Sequence, residues 1–134
     1  MFVAGNGRAA PIEWTSKKLE RVTKSPLASE TAAMADAADA GWLAANMLKE
    51  IFCLTHLPKI ICYSDSKSLK DHLNSTKVIQ DPRLRVDAGR LRQMVDKKEI
   101  EIRWIAGKSQ LADSLTKHGA STKLLLDVLS RAAF

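Results

Sequence analysis

Between Ser25 and about Phe52 the chain carries an alanine-rich stretch whose helix start is written into its first two residues, and this segment constrains the fold more than any other. Ser25 supplies an N-cap hydroxyl, and Pro26 suits the first helical position, where its missing N–H costs nothing. The loop holding His56 and Pro58 closes the helix. Short strand-like and helix-like segments surround it, so the expected class is α/β.

Upstream, Phe2 to Ala4, the turn signal Gly5-Asn6-Gly7 and an extended run from Ala10 through Trp14 read as a hairpin. A basic connector with Lys17, Lys18, Arg21 and Lys24 leads into the long helix. Downstream, Ile60, Ile61, Cys62 and Tyr63 read as a short strand buried on both faces, ended by Asp65. Ser66 to Leu73 reads as a short helix and Asn74 to Pro82 as polar connector. Leu84, Ala88, Leu91 and Val95 recur at helical spacing, which predicts a helix over Arg83 to Lys97 with arginines on its other side. Ile100, Ile102 and Trp104 alternate with Glu101 and Arg103 as in a strand, and Gly107 breaks the run. Ser109 is expected to cap a short helix through Lys117, and a last helix, Thr122 to Arg131, to lie on the core as a lid. No internal repeat interrupts residues 1–134, which suit one domain.

Charge bears on partners. With 21 basic and 15 acidic residues the chain carries a formal charge of +6, which favours polyanions, nucleic acid first among them. Aromatic content of 5% argues against stacking of single-stranded bases and for contact with a duplex backbone. Cys53 and Cys62 lack metal-site spacing and read as buried thiols of a reducing compartment. His56, His72 and His118 stand singly, so zinc is not expected. No window reaches the length of a membrane span, and the expected setting is intracellular, cytoplasmic or nuclear.

Three carboxylates are candidate metal ligands. Glu30 shares helical spacing with Met34, Ala37, Gly41, Ala45 and Leu48, and a charge leading an apolar stripe calls for a cation or hydrogen bonds. Its other role would be to complement the helix dipole, which fades beyond the first turn. Asp65 follows a strand, where ligand sites of open α/β sheets gather, though an aspartate there also caps helices. Asp113 lies one turn into the short helix of QLADSLTK, where taken alone a solvated aspartate is the more ordinary role.

In order along the chain, PIEWTSKKLERV (11 to 22), SPLASET (25 to 31), CYSDSKSL (62 to 69), DPRLRVDAGRLRQMV (81 to 95) and IRWIAGKSQLADSLTK (102 to 117) resemble the ribonuclease H domain of copia-type retrotransposon reverse transcriptases. The resemblance implies a ribonuclease H-like fold, a mixed sheet flanked by helices. It implies hydrolysis of the RNA strand of an RNA:DNA hybrid with two magnesium ions, or manganese in their place, held roughly 3.5 to 4 Å apart. Glu30, Asp65 and Asp113 would be ligands and catalytic residues, and a reverse transcriptase polymerase domain the upstream neighbour. The family's first catalytic aspartate, on a central strand before the hairpin, has no counterpart here. Glu13, Asp36, Asp39 and Asp87 lack its context, and Gly107-Lys108-Ser109-Gln110 holds no loop histidine. The chain itself is therefore expected to cut weakly or not at all. Lys17, Lys18, Arg21, Lys24, Arg83, Arg85, Arg90, Arg92, Lys97, Lys98 and Lys108 would meet phosphates without reading sequence. The rival readings are an inactive remnant that binds nucleic acid and a helical module that packs on a protein partner.

Overall fold

The computed structural model describes residues 1–6, 8–16, 22–75, 81–116, 119 and 121–131. In chain order it contains β1 (Phe2–Gly5), β2 (Arg8–Pro11), α1 (Pro26–Ile51), β3 (Ile60–Ser64), α2 (Lys67–Asn74), α3 (Pro82–Asp96), β4 (Ile100–Trp104), a 3-10 turn (Gly107–Ser109), α4 (Asp113–Thr116) and α5 (Lys123–Arg131). The α/β class holds. Two compact units divide the chain, Leu19–Ile105 and the pair Met1–Lys18 with Ala106–Phe134.

In the Leu19–Ile105 unit the helix starts follow local chemistry. Ser25 is extended and its hydroxyl accepts from the Ala28 N–H at 3.2 Å, with Pro26 in the first turn. Asp81 caps α3 in the same manner, accepting from Arg83 and Leu84 N–H at 2.9 and 3.4 Å. Asp81-Pro82 is thus a helix start, and the helix opens one residue ahead of its expected limit.

β3 and β4 pair in parallel, Ile60 opposite Ile100 through Ser64 opposite Trp104. Residues in register share a face, so Ile60, Cys62, Ile100 and Ile102 lie on one side, and Ile61, Tyr63, Glu101 and Arg103 on the other. Met34, Ala35, Ala38 and Ala45 of α1, Ile60 and Cys62, Leu69 of α2, Leu91 and Met94 of α3, and Ile100 form one core. Gly41 brings α1 close to the sheet: a Cβ there would stand 3.1 Å from the Ile60 Cγ2. β3 is not buried on both faces as its apolar sequence suggested, since Tyr63 is exposed among charged neighbours. Burial of the Cys62 thiol pushes its pKa up to about 11. Cys53, expected to be buried, is exposed just past the helix in a left-handed conformation (φ 48°).

In the other unit β1 and β2 form an antiparallel hairpin, Phe2 opposite Pro11 through Gly5 opposite Arg8. Asn6 takes φ 52° in its two-residue connection. β2 begins before Ala10 and its ladder stops at Pro11 opposite Phe2; beyond it the Ile12 N–H donates to the Met1 carbonyl at 3.1 Å, and Trp14 is exposed. α5 packs against β2, and Ala9 and Val128 are buried there. Among the described residues the hairpin and the β3–β4 pair are separate two-stranded sheets, where one mixed sheet was expected, because the hairpin strands pair only with each other. Ser109 lies inside the 3-10 turn, donating its N–H to the Ala106 carbonyl at 2.7 Å, so it is not a cap, and Asp113 starts α4 instead of lying one turn in.

Candidate functional site

Asp65 is held by its main chain at the carboxyl end of β3. The Trp104 indole N–H donates to the Asp65 carbonyl at 3.1 Å, and the Ile105 N–H to the Ser64 carbonyl at 2.9 Å. The Ser66 N–H donates to Ser64 Oγ at 3.0 Å, while Ser66 Oγ caps α2 by accepting from the Leu69 N–H at 3.3 Å. Capping thus falls to Ser66. The half-buried Asp65 carboxylate has no hydrogen bond or ion pair among the described residues.

Glu30 sits in the second turn of α1 with an exposed side chain. The buried face of the helix is Thr31, Ala32, Met34, Ala35, Ala38 and Ala45; of the residues that share the spacing of Glu30, Met34 and Ala45 are buried, Gly41 and Leu48 half-buried and Ala37 exposed, so Glu30 stands at the margin of that face. In a helix this rich in alanine several faces look alike by spacing, and the neighbours it packs on choose among them. Asp113 is half-buried and belongs to the other unit. Among the described residues no three histidine, cysteine, aspartate or glutamate side chains gather to hold a metal ion.

The basic residues divide by what they already hold. Arg92 donates to the carbonyls of Leu73, His72 and Ser75 at 3.1, 2.7 and 2.6 Å, closing the end of α2, so its expected place among phosphate contacts gives way to an internal one. Arg90 bridges to Asp39 of α1 at 2.6 Å but stays largely exposed. Arg83, Lys97 and Lys98 are exposed and, among the described residues, bear no ion pair. Spacing places Arg83, Arg90 and Lys97 in one row along α3 and its end. Arg85 is exposed on a different side of α3; Lys24 before α1 is exposed, and so is Lys108, which belongs to the other unit. Lys17, Lys18 and Arg21 lie outside the described residues.

Sequence reasoning missed a charged group on the open face of the sheet. Glu101 accepts from Arg103 at 2.6 Å and pairs with Lys59 at 2.5 Å. Hydrogen bonds from Arg103 and then Lys59 push the Glu101 carboxyl down to about 2. The signal was available, since Glu101 and Arg103 stand two apart on one strand face and Lys59 precedes the paired strand. His72 is the other unforeseen group. Its Nε2 is enclosed without a hydrogen-bond partner among the described residues, and burial, then the Arg92 charge, lowers its pKa.

Among the described residues no helix is long and apolar enough to cross a membrane. No protein-family model, curated protein or solved structure matches this chain.

Proposed function

We propose that this chain is a ribonuclease H-like domain of retroelement origin that engages RNA:DNA hybrid through its phosphates. Cutting of the RNA strand, with magnesium or manganese as cofactor and a reverse transcriptase polymerase domain as upstream neighbour, is proposed for the parent form. A cytoplasmic or nuclear setting goes with that reading. The observation that carries it is Asp65, an acid at the carboxyl end of a parallel strand, where ligand sites of α/β folds gather, with helix capping taken by Ser66. The row Arg83, Arg90 and Lys97 supports the binding half, since exposed cations along one helix suit a phosphate backbone.

Binding is the half of this reading to test first on the chain itself. Fluorescence anisotropy with a short RNA:DNA hybrid across a salt series tests it. Affinity should fall steeply with salt, and changing Arg83, Arg90 and Lys97 together to Gln should flatten the log–log slope by about 2 to 3. Absent or salt-insensitive binding overturns the reading. In the same hybrid with magnesium, RNA cleavage that Asp65→Asn abolishes while affinity holds would assign the nuclease to this chain directly.

A further inference from the structure

The side of α1 turned from the core carries an apolar seam of its own. Ala33, Ala37, Ala40, Ala44, Met47 and Ile51 recur at intervals of four, three, four, three and four, the a/d spacing of a coiled-coil contact. Ala33, Ala37, Met47 and Ile51 are exposed, Ala40 and Ala44 half-buried. Leu43, Met47, Ile51 and Phe52 leave 59%, 53%, 66% and 66% of their surface uncovered. Single exposed apolar residues are ordinary, but a row along one helix is not.

The seam is graded, small residues first and large ones last, and this grading selects its occupant. Two copies laid antiparallel about a two-fold axis between Ala40 and Ala44 place Ala33 against Ile51, Ala37 against Met47 and Ala40 against Ala44, a small residue in every layer. A parallel pair would stack Met47 and Ile51 on themselves and alanine on alanine, so the axes would have to splay. The antiparallel pair also sets the helix dipoles against each other. We infer that α1 pairs antiparallel with the α1 of a second copy of this chain, through Ala33, Ala37, Ala40, Ala44, Met47 and Ile51.

The seam from Ala33 to Ile51 is roughly 27 Å long. It offers on the order of 500 to 600 Å² of apolar surface per copy, hence roughly 1,000 to 1,200 Å² for the pair, the low end of specific interfaces. The dimer is therefore concentration-dependent. At its rim Leu43 meets its own counterpart and Asp36 lies opposite Glu50 of the second copy. That like-charge pair is relieved by salt, so association holds or tightens as salt rises, opposite in sign to binding of nucleic acid.

Sedimentation of the whole chain from low to high micromolar concentration, at low and high salt, tests the pairing. A shift from monomer to dimer mass that persists at high salt, and that Met47→Glu with Ile51→Glu removes, is expected. Both substitutions fall at exposed positions, so circular dichroism and hybrid affinity of the variant should match the parent. The arrangement is read with one exposed cysteine at a time in a Cys53→Ser background, the remaining Cys62 being buried. Leu43→Cys should form a disulfide-linked dimer and Ile51→Cys should not. A monomer throughout, a dimer untouched by the two glutamates, or cross-linking at Ile51→Cys in place of Leu43→Cys overturns the proposal. None of these results bears on hybrid binding, which is measured separately.

Discussion

Arg92 and His72 meet twice: the Arg92 guanidinium donates to the His72 carbonyl at 2.7 Å, and its charge helps to hold the His72 imidazole neutral. The same guanidinium reaches the Leu73 and Ser75 carbonyls, so one side chain of α3 gathers three acceptors at and just past the end of α2, of which the His72 carbonyl also accepts from the Ser75 N–H at 3.2 Å.

Removing that clamp should cost stability before it costs binding. Arg92→Ala leaves three carbonyls without their charged donor and is expected to lower unfolding free energy by about 2 to 4 kcal/mol. Urea denaturation should show a lower midpoint at unchanged slope, with hybrid affinity of the folded fraction within about twofold. An unaltered midpoint with a large loss of affinity would return Arg92 to the phosphate-binding set.

Acid should weaken the unit through His72. Its folded pKa is below the ordinary 6.5, so the unfolded chain takes up a proton first as pH falls. Stability is then fully present above about 6.5 and declines below it, until the folded imidazole protonates as well. His72→Gln should flatten the fall in urea midpoint between about pH 7.5 and 5.5. An identical pH profile in the variant would show that the decline has another source.

Glu101 should resist protonation while contributing little to stability. Its carboxyl, held down to about 2 by Arg103 and Lys59, should give a carbon chemical shift that stays ionised well below the usual glutamate range. Arg103→Ala should raise that midpoint. Because the group lies at the surface, the melting temperature at neutral pH should move little. A midpoint near the ordinary value in the parent would mean that the three charges do not meet in solution.

Gly41 marks the closest approach of α1 to β3. Gly41→Leu would drive a side chain into Ile60, whose Cγ2 lies 3.1 Å from the position of even a single added carbon. Overpacking of this kind should destabilise by about 1 to 3 kcal/mol. Thermal unfolding of Gly41→Ala, of Ile60→Ala, which removes the Cγ2, and of the two together should show the second change easing the first, a coupling expected only of residues in contact. Additive effects would place the two further apart.

Local chemistry made much of the fold legible. Ser25-Pro26 and Ser66 start their helices where the sequence indicates, and β4 follows its alternation of Ile100, Ile102 and Trp104 with Glu101 and Arg103. Asp81-Pro82 carried the same kind of signal, although Asn74 to Pro82 as a whole reads as polar connector. Asp65 at a strand end was legible because a short apolar run followed by serine and aspartate stops a strand by rules that act over a few residues.

What the sequence by itself determined is where strands and helices begin and end, since caps, prolines and alternation act between residues close along the chain. Which face of α1 is buried, and so that Glu30 is exposed, was decided only by packing on β3 and α3. The use of Arg92 likewise joins it to carbonyls 17 to 20 positions away. An alanine-rich helix offers several faces of nearly equal hydrophobicity, and an arginine can serve a phosphate or a helix end equally well. Such choices are made by the groups the fold brings near, which no local pattern specifies.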